Sequence, residues 1–159
     1  MKFSIFGFEL DVPKEYYIFV VKDSLYYRGG IDISDHFKHN LKILWDDLDE
    51  FKNSYNTPLD FFQSKYDKIK EDKDLVAISS EEFKWDLSKD HPYHFHKISY
   101  TTKKRFTKEL SHTLIGLVIH CNTTSRYYLL FHEYSENKNE FEPKALSMMK
   151  SFNCNCDTE

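Results

Sequence analysis

His91-Pro92-Tyr93-His94-Phe95-His96 holds the side chains best suited to chemistry in this sequence. Two imidazoles two residues apart on a strand, His94 and His96, project from one face and can share a metal ion. His120 and His132, each in a later apolar run, are the candidates to complete such a set from neighbouring strands. Against that reading, no Cys or carboxylate falls nearby at a metal-motif spacing, and 8 histidines in 159 residues cluster by chance. Ordinary strand histidines are therefore the expectation, and a metal-binding protein or metal-dependent enzyme is the alternative. Cys154-Asn155-Cys156 sets two thiols around one residue, short of the C-x-x-C spacing of redox helices and zinc knuckles, while Cys121 reads as a small buried residue in an apolar run.

Other reaction types lack their parts. The carboxylates of Asp46-Asp47, Asp49-Glu50 and Glu81-Glu82 are adjacent in sequence, so they diverge on a helix or a strand and form no acid/base couple. Neither Ser79-Ser80 nor Ser111-His112 has the flanking glycines of a nucleophile elbow. Gly29-Gly30 is the sole glycine pair, and no phosphate-cradling G-x-G-x-x-G or G-x-x-x-x-G-K occurs. No catalytic residue and no cofactor are expected.

Binding is better provided for. In Lys103-Lys104-Arg105-Phe106-Thr107-Lys108 an aromatic ring sits among cations, a composition that suits docking to an acidic protein surface, with a solvated turn as the ordinary alternative. The pairs Tyr16-Tyr17, Tyr26-Tyr27 and Tyr127-Tyr128 lie in strand-like segments, where one ring of each pair packs inward and the other reaches solvent. Tyr17, Tyr27, Arg105, Phe106 and Tyr127 are thus the partner-binding candidates.

Charge narrows the partner. With 22 Lys and Arg against 26 Asp and Glu the net charge is -4, which repels a phosphate backbone, and arginine occurs only at 28, 105 and 126. A protein partner is expected, not nucleic acid or a membrane, with the chain itself a monomer or weak dimer. The N-terminus meets Glu9 before any stretch of signal-peptide length, nothing approaches 18 uninterrupted apolar residues, and the odd cysteine count does not suggest a disulfide framework. Those features predict a cytoplasmic, reducing setting.

The elements that must carry these residues follow from periodicity and turn chemistry. Phe3 to Val12 alternates around Gly7 and ends at Pro13; Tyr16 to Val21 and Leu25 to Tyr27 suggest a hairpin; Lys42 to Trp45 suits a strand. Thr57-Pro58-Leu59-Asp60 starts a helix, with a capping threonine, proline in the first turn and an early carboxylate. Leu59, Phe62, Tyr66 and Ile69 form its packing stripe. Strands are predicted at Leu75 to Ser79, Glu82 to Trp85 and Phe95 to Thr101, then a hairpin of Thr113 to Cys121 and Arg126 to Tyr134 around polar turn formers. Pro143 opens a closing helix with Leu146 and Met149 inward and Phe141 stapled against Leu146. This order predicts an α+β domain over residues 1–153, a central antiparallel sheet flanked by helices, and a flexible tail over 154–159.

The terminal pattern TLIGLVIHC, RYYLLFHEY and PKALSMMKSF, with the opening FGFELDVPKEY, resembles the PsbP/Mog-like superfamily. The resemblance implies an α/β/α sandwich and a non-catalytic role in binding other proteins. Without a leader or a lipobox cysteine the chain departs from the exported branches and is most similar to the superfamily's cytoplasmic bacterial domains.

Overall fold

A computed structural model of the chain describes residues 1–36, 38–135 and 140–155. Its frame is a seven-stranded antiparallel sheet in the order β3-β4-β5-β9-β8-β7-β6. The strands are β3 (Tyr17–Val20), β4 (Gly29–Asp35), β5 (His39–Asp47), β6 (Leu75–Glu82), β7 (Tyr93–Thr102), β8 (Leu110–Cys121) and β9 (Arg126–Tyr134). A three-stranded sheet joins β1 (Lys2–Ile5), β2 (Phe8–Asp11) and β10 (Asn153–Cys154) in the order β1-β2-β10. The helices are α1 (Leu48–Ser54), α2 (Pro58–Lys70) and α3 (Phe141–Ser151). The α+β class and the helix-flanked antiparallel sheet are as the sequence predicts, and the C-terminal hairpin joins the N-terminal half through β5 against β9. None of the helices is long and apolar enough to cross a membrane, a statement limited to the described residues.

Alternation sorts the side chains between two cores. On one face Ile31, Ile33, Leu41, Ile43, Trp45, Ile115, Leu117, Ile119 and Leu130 meet Phe8, Leu10, Met148 and Met149 from the small sheet and α3. On the other, Ile98, Leu114, Val118 and Leu129 meet Phe51 of α1 and Phe62 of α2. Gly116 makes room for that helix: a Cβ there would stand 2.9 Å from the Phe62 ring. Both helices are capped, α2 as its sequence predicts. Asp47 accepts from the backbone N–H groups of Asp49 and Glu50, and Thr57 and Asp60 form a reciprocal capping box.

Several elements differ from expectation for local reasons. Phe3 to Val12 is two strands, because Phe6 and Gly7 take φ of 49° and 79° and fold the segment into a hairpin. Residues 21–28 form an irregular connection, so Leu25 to Tyr27 is not a strand. β6 ends at Glu82, and after Phe83, whose N–H still donates to Phe95 O at 2.8 Å, Lys84 and Trp85 lie outside the strands. The closing helix begins at Phe141, which is buried within it. Cys154, expected in the tail, is buried in β10 opposite Phe8 of β2, because β2 has a bare edge for it to pair with.

A partly buried cluster ties α3 to the sheet. Lys97 Nζ donates to Glu142 Oε1 at 2.6 Å, and the Tyr134 hydroxyl donates to the other oxygen of the same carboxylate. Burial raises the Glu142 carboxyl, yet the Lys97 and Tyr134 hydrogen bonds hold it below its ordinary value. Such a carboxylate stabilises the fold above the unfolded-state pKa, and the contribution is lost as pH falls through the lower folded-state value. Glu142→Gln is expected to cost about 1–2 kcal/mol near neutrality, read as a lowered urea midpoint, with a smaller difference from wild type in acid.

Candidate docking surface

The strand order leaves two edges, and they are built differently. β6 carries a register shift between Leu75 and Ala77 and ends in Ser79-Ser80-Glu81-Glu82, features that discourage pairing with another chain. β3 reads Tyr-Ile-Phe-Val, pairs with β4 at the edge of the sheet formed by the described residues, and exposes Tyr17, Phe19 and Val20 by 46, 42 and 45%. Tyr17 and Phe19 lie on one face of β3, their rings 6.3 Å apart. The apolar surface continues into residues 21–28, where Val21, Leu25, Tyr26 and Tyr27 are exposed, Tyr27 by 71%.

Backbone hydrogen bonds explain how an irregular segment holds that shape. Val21 N–H donates to Gly30 O at 2.8 Å, the Ser24 hydroxyl donates to Val21 O at 2.6 Å, and Leu25 N–H donates to Arg28 O at 2.8 Å. The Trp45 indole N–H donates to Leu25 O at 2.9 Å, and Arg126 Nη1 donates to Tyr26 O at 2.8 Å and to Phe6 O at 2.6 Å. The inward carbonyls are thus anchored while the side chains of Leu25 and Tyr27 turn out. Gly29 is required at the base of the segment, since a Cβ there would stand 2.5 Å from the Trp45 ring. Beside it lies an open groove of about 310 Å³ lined by Val21, Arg28, Leu44, Asp46 and Tyr127, with Arg28 Nη2 3.4 Å from Asp46 Oδ1.

The partner-binding candidates do not gather in one place. Tyr17 and Tyr27 lie on the β3 side. Tyr127 borders the adjoining groove, but it is a packing residue, half-buried with its ring stacked 4.1 Å from that of Phe51. Arg105 and Phe106 are in the β7–β8 turn, at the end of the strands opposite residues 21–28 and with β4, β5, β9 and β8 between β7 and β3. There Phe106 is 92% exposed, its partner the Arg105 guanidinium 4.9 Å from the ring centre. Of the tyrosine pairs, Tyr128 is fully buried beneath Tyr127 and Tyr16 stacks on Phe141, as alternation requires, whereas Tyr26 and Tyr27 are both exposed because their segment is not a strand.

The histidines of the alternative, metal-binding reading do not all share one face of the sheet. His94 and His96 share a face, with Nε2 and Nδ1 2.6 Å apart and rings stacked at 4.7 Å. His120 is on that face too, edge-on to Phe51 at 5.4 Å. His132 is on the other, where its Nδ1 meets Asn40 O at 2.8 Å and its ring packs on Phe141. Strand parity is the reason: His132 pairs with Ile115 of the first core, while His94 pairs with Val118 of the second. Burial lowers the pKa of His94, with the charge of His96 adding to it, and burial lowers His96 and His132 as well. Neutral rings packed on aromatics, not a convergent ligand set, account for these residues. Cys121 also departs from expectation, being disulfide-bonded. Cys156 lies outside the described residues.

Sequence reasoning passed over Phe19, Tyr26 and Arg126. The signal for Phe19 was present in an unbroken apolar run from Tyr16 to Val21, whereas Arg126 gave none, since a cation at the start of a strand normally faces water.

No protein-family model and no curated protein matches the chain. Among solved structures it is similar to the solution structure of cyanobacterial PsbP (CyanoP) from Synechocystis sp. PCC 6803, at 12% identity and a TM-score of 0.53, over 97% of this chain and 91% of that one. At that identity the likeness speaks for the fold alone: the chain has a PsbP-like fold.

Proposed function

We propose that this chain is a non-catalytic accessory domain that docks a protein partner along β3 and residues 21–28. The observation that carries the reading is the contrast between the two sheet edges: β6 is interrupted and acidic, while β3 is apolar, lies at the edge of the sheet formed by the described residues and is continuous with exposed Leu25, Tyr26 and Tyr27. An extended segment of the partner would add to β3 by main-chain hydrogen bonds, with Phe19 and Tyr27 as aromatic anchors. Arg105 and Phe106 form a separate patch that this reading does not use. A place in the PsbP/Mog-like superfamily beside its cytoplasmic bacterial domains belongs to the same proposal. The redox state of Cys121 in the cell checks the compartment, since a standing disulfide there would point to an oxidising one.

The test starts from a protein that co-purifies with the untagged chain from native lysate. The double variant Phe19→Lys and Tyr27→Lys is expected to weaken its binding at least ~30-fold, from about 1 kcal/mol or more at each anchor, with the urea midpoint near that of wild type because both side chains are exposed. Phe106→Lys is expected to leave binding intact. Equal loss from Phe106→Lys, or none from the double variant, would refute the reading. Concentration-dependent sedimentation distinguishes self-pairing through β3 from a foreign partner.

A further inference from the structure

Two cysteines and a histidine, far apart in sequence, meet at the end of β8. A ligand nitrogen of His91 and the Sγ atoms of Cys121 and Cys154 all lie within 4.8 Å of one another. We propose that reduction of the disulfide at Cys121 makes His91, Cys121 and Cys154 a site for one soft divalent cation of the zinc class. Cys121 closes β8, Cys154 lies in β10, and His91 is in the connection between β6 and β7, so the site would cross-link both sheets.

The surroundings already hold these segments in register. The Trp85 indole N–H donates to Phe152 O at 3.1 Å, which fixes the β6–β7 connection to the residues just before Cys154. His91 N–H donates to Ser88 O at 2.7 Å and His120 N–H to Pro92 O at 2.9 Å, so the backbone on both sides of the His91–Pro92 step is tied down, the second time to β8 itself. On the far side Asn155 N–H donates to Gly7 O at 3.1 Å. Lys89 and Asp90, immediately before His91, have φ of 45° and 66°, a left-handed pair without glycine that brings the chain round to the cysteines. Cys121 and Cys154 are buried at 0 and 1% exposure, whereas His91 is partly exposed and gives the ion a way in.

The ligand set selects the ion. Thiolate and imidazole suit zinc and its soft relatives, while magnesium and calcium require oxygen ligands, and no carboxylate belongs to this group. Ligand atoms about 2.0–2.3 Å from a tetrahedral zinc lie ~3.8 Å or less from one another, so the cluster needs only a small contraction. Reduction by a low-molecular-weight thiol transfers two electrons and two protons to the disulfide. Both protein sulfurs become thiols and two reductant thiols become one disulfide. Zinc then displaces a proton from each of Cys121 and Cys154 and accepts the lone pair of neutral His91, with a fourth position for water.

Cobalt titration of the full, untagged chain tests the assignment, with oxidised and phosphine-reduced protein compared. The reduced protein is expected to bind one equivalent, with sulfur-to-cobalt charge-transfer absorption and the intense visible bands of a tetrahedral site, all discharged by zinc. The oxidised protein is expected to show neither. Cys154→Ser should cut the charge-transfer band to about half or less, since one of two thiolates is lost, and His91→Ala should weaken cobalt binding at least tenfold. Should those variants misfold, the wild type decides the matter: zinc is expected to raise the melting temperature of the reduced protein and not of the oxidised one. Absence of charge-transfer absorption in the reduced protein, an equal response in both redox states, or a reduced wild type whose melting temperature ignores zinc would overturn the proposal.

Discussion

Arg126→Ala is expected to lower the unfolding free energy by roughly 3–5 kcal/mol, a large share of the ~5–15 kcal/mol typical of a domain. The Arg126 side chain is 1% exposed, and among the described residues no carboxylate pairs with it. Its cation is held by the carbonyls of Phe6 and Tyr26, the hydroxyl of Thr124 at 3.4 Å, and the rings of Tyr26 and Tyr128 at 4.0 and 5.0 Å. Truncation removes three charge-assisted hydrogen bonds and two ring contacts, and it opens a cavity where β1–β2, residues 21–28 and β9 meet. Arg126→Met keeps much of the volume and should recover part of the loss, because it restores packing and not the hydrogen bonds. Urea unfolding with linear extrapolation measures both. Hydrogen exchange should report faster amides over residues 21–28, since Tyr26 O loses its anchor. A loss below about 1 kcal/mol would mean that the guanidinium is a passenger in the core.

Acid should weaken the fold well before the carboxylates titrate. His120 is 2% exposed, and its pKa is lowered to about 4, chiefly by burial and further by Lys52 of α1, with Asp60 of α2 opposing. Its Nε2 has no hydrogen-bond partner among the described residues. The folded state therefore favours the neutral ring, while the unfolded chain takes up a proton near the ordinary value of 6.5. Stability is unaffected above that value, falls as pH drops from about 6.5 towards 4, and levels off below, for a total on the order of 3 kcal/mol from this residue. His94 and His96, also lowered, add to the same trend. Unfolding free energies of chelator-treated protein across that interval should show the decline, and His120→Leu should make it shallower. An unchanged slope in the variant would place the acid sensitivity elsewhere.

Much of the frame was legible because local signals agreed with tertiary demand. Alternating branched and aromatic residues around Asn122-Thr123-Thr124-Ser125 specify the β8–β9 hairpin, and Thr57-Pro58 marks the start of α2. The features that escaped depend on relations no short window contains. β5 runs straight into α1 through Asp47, which is both the last strand residue and the helix cap, so the apolar residues from Leu41 to Phe51 fit two periods at once. His132 and His94 face opposite sides because of a register set across β7, β8 and β9, which spacing within one strand cannot reveal. The docking candidates were partly visible as Tyr17 and Tyr27, but Arg105 and Phe106 were grouped with them by composition, and only the strand order separates the two patches. Cys154 looked like tail because its two-residue strand gains its meaning solely from the edge of β2.

Site-specific photo-crosslinking in the native cell addresses the β3 assignment most directly, with a benzophenone side chain placed in turn at Tyr27, Phe19 and Phe106. Exposure is shared by all three positions, so only the location of the partner distinguishes them. The account predicts one and the same adduct from Tyr27 and Phe19 and none of that mass from Phe106. Adducts confined to Phe106, or the same adduct from all three positions, would contradict it.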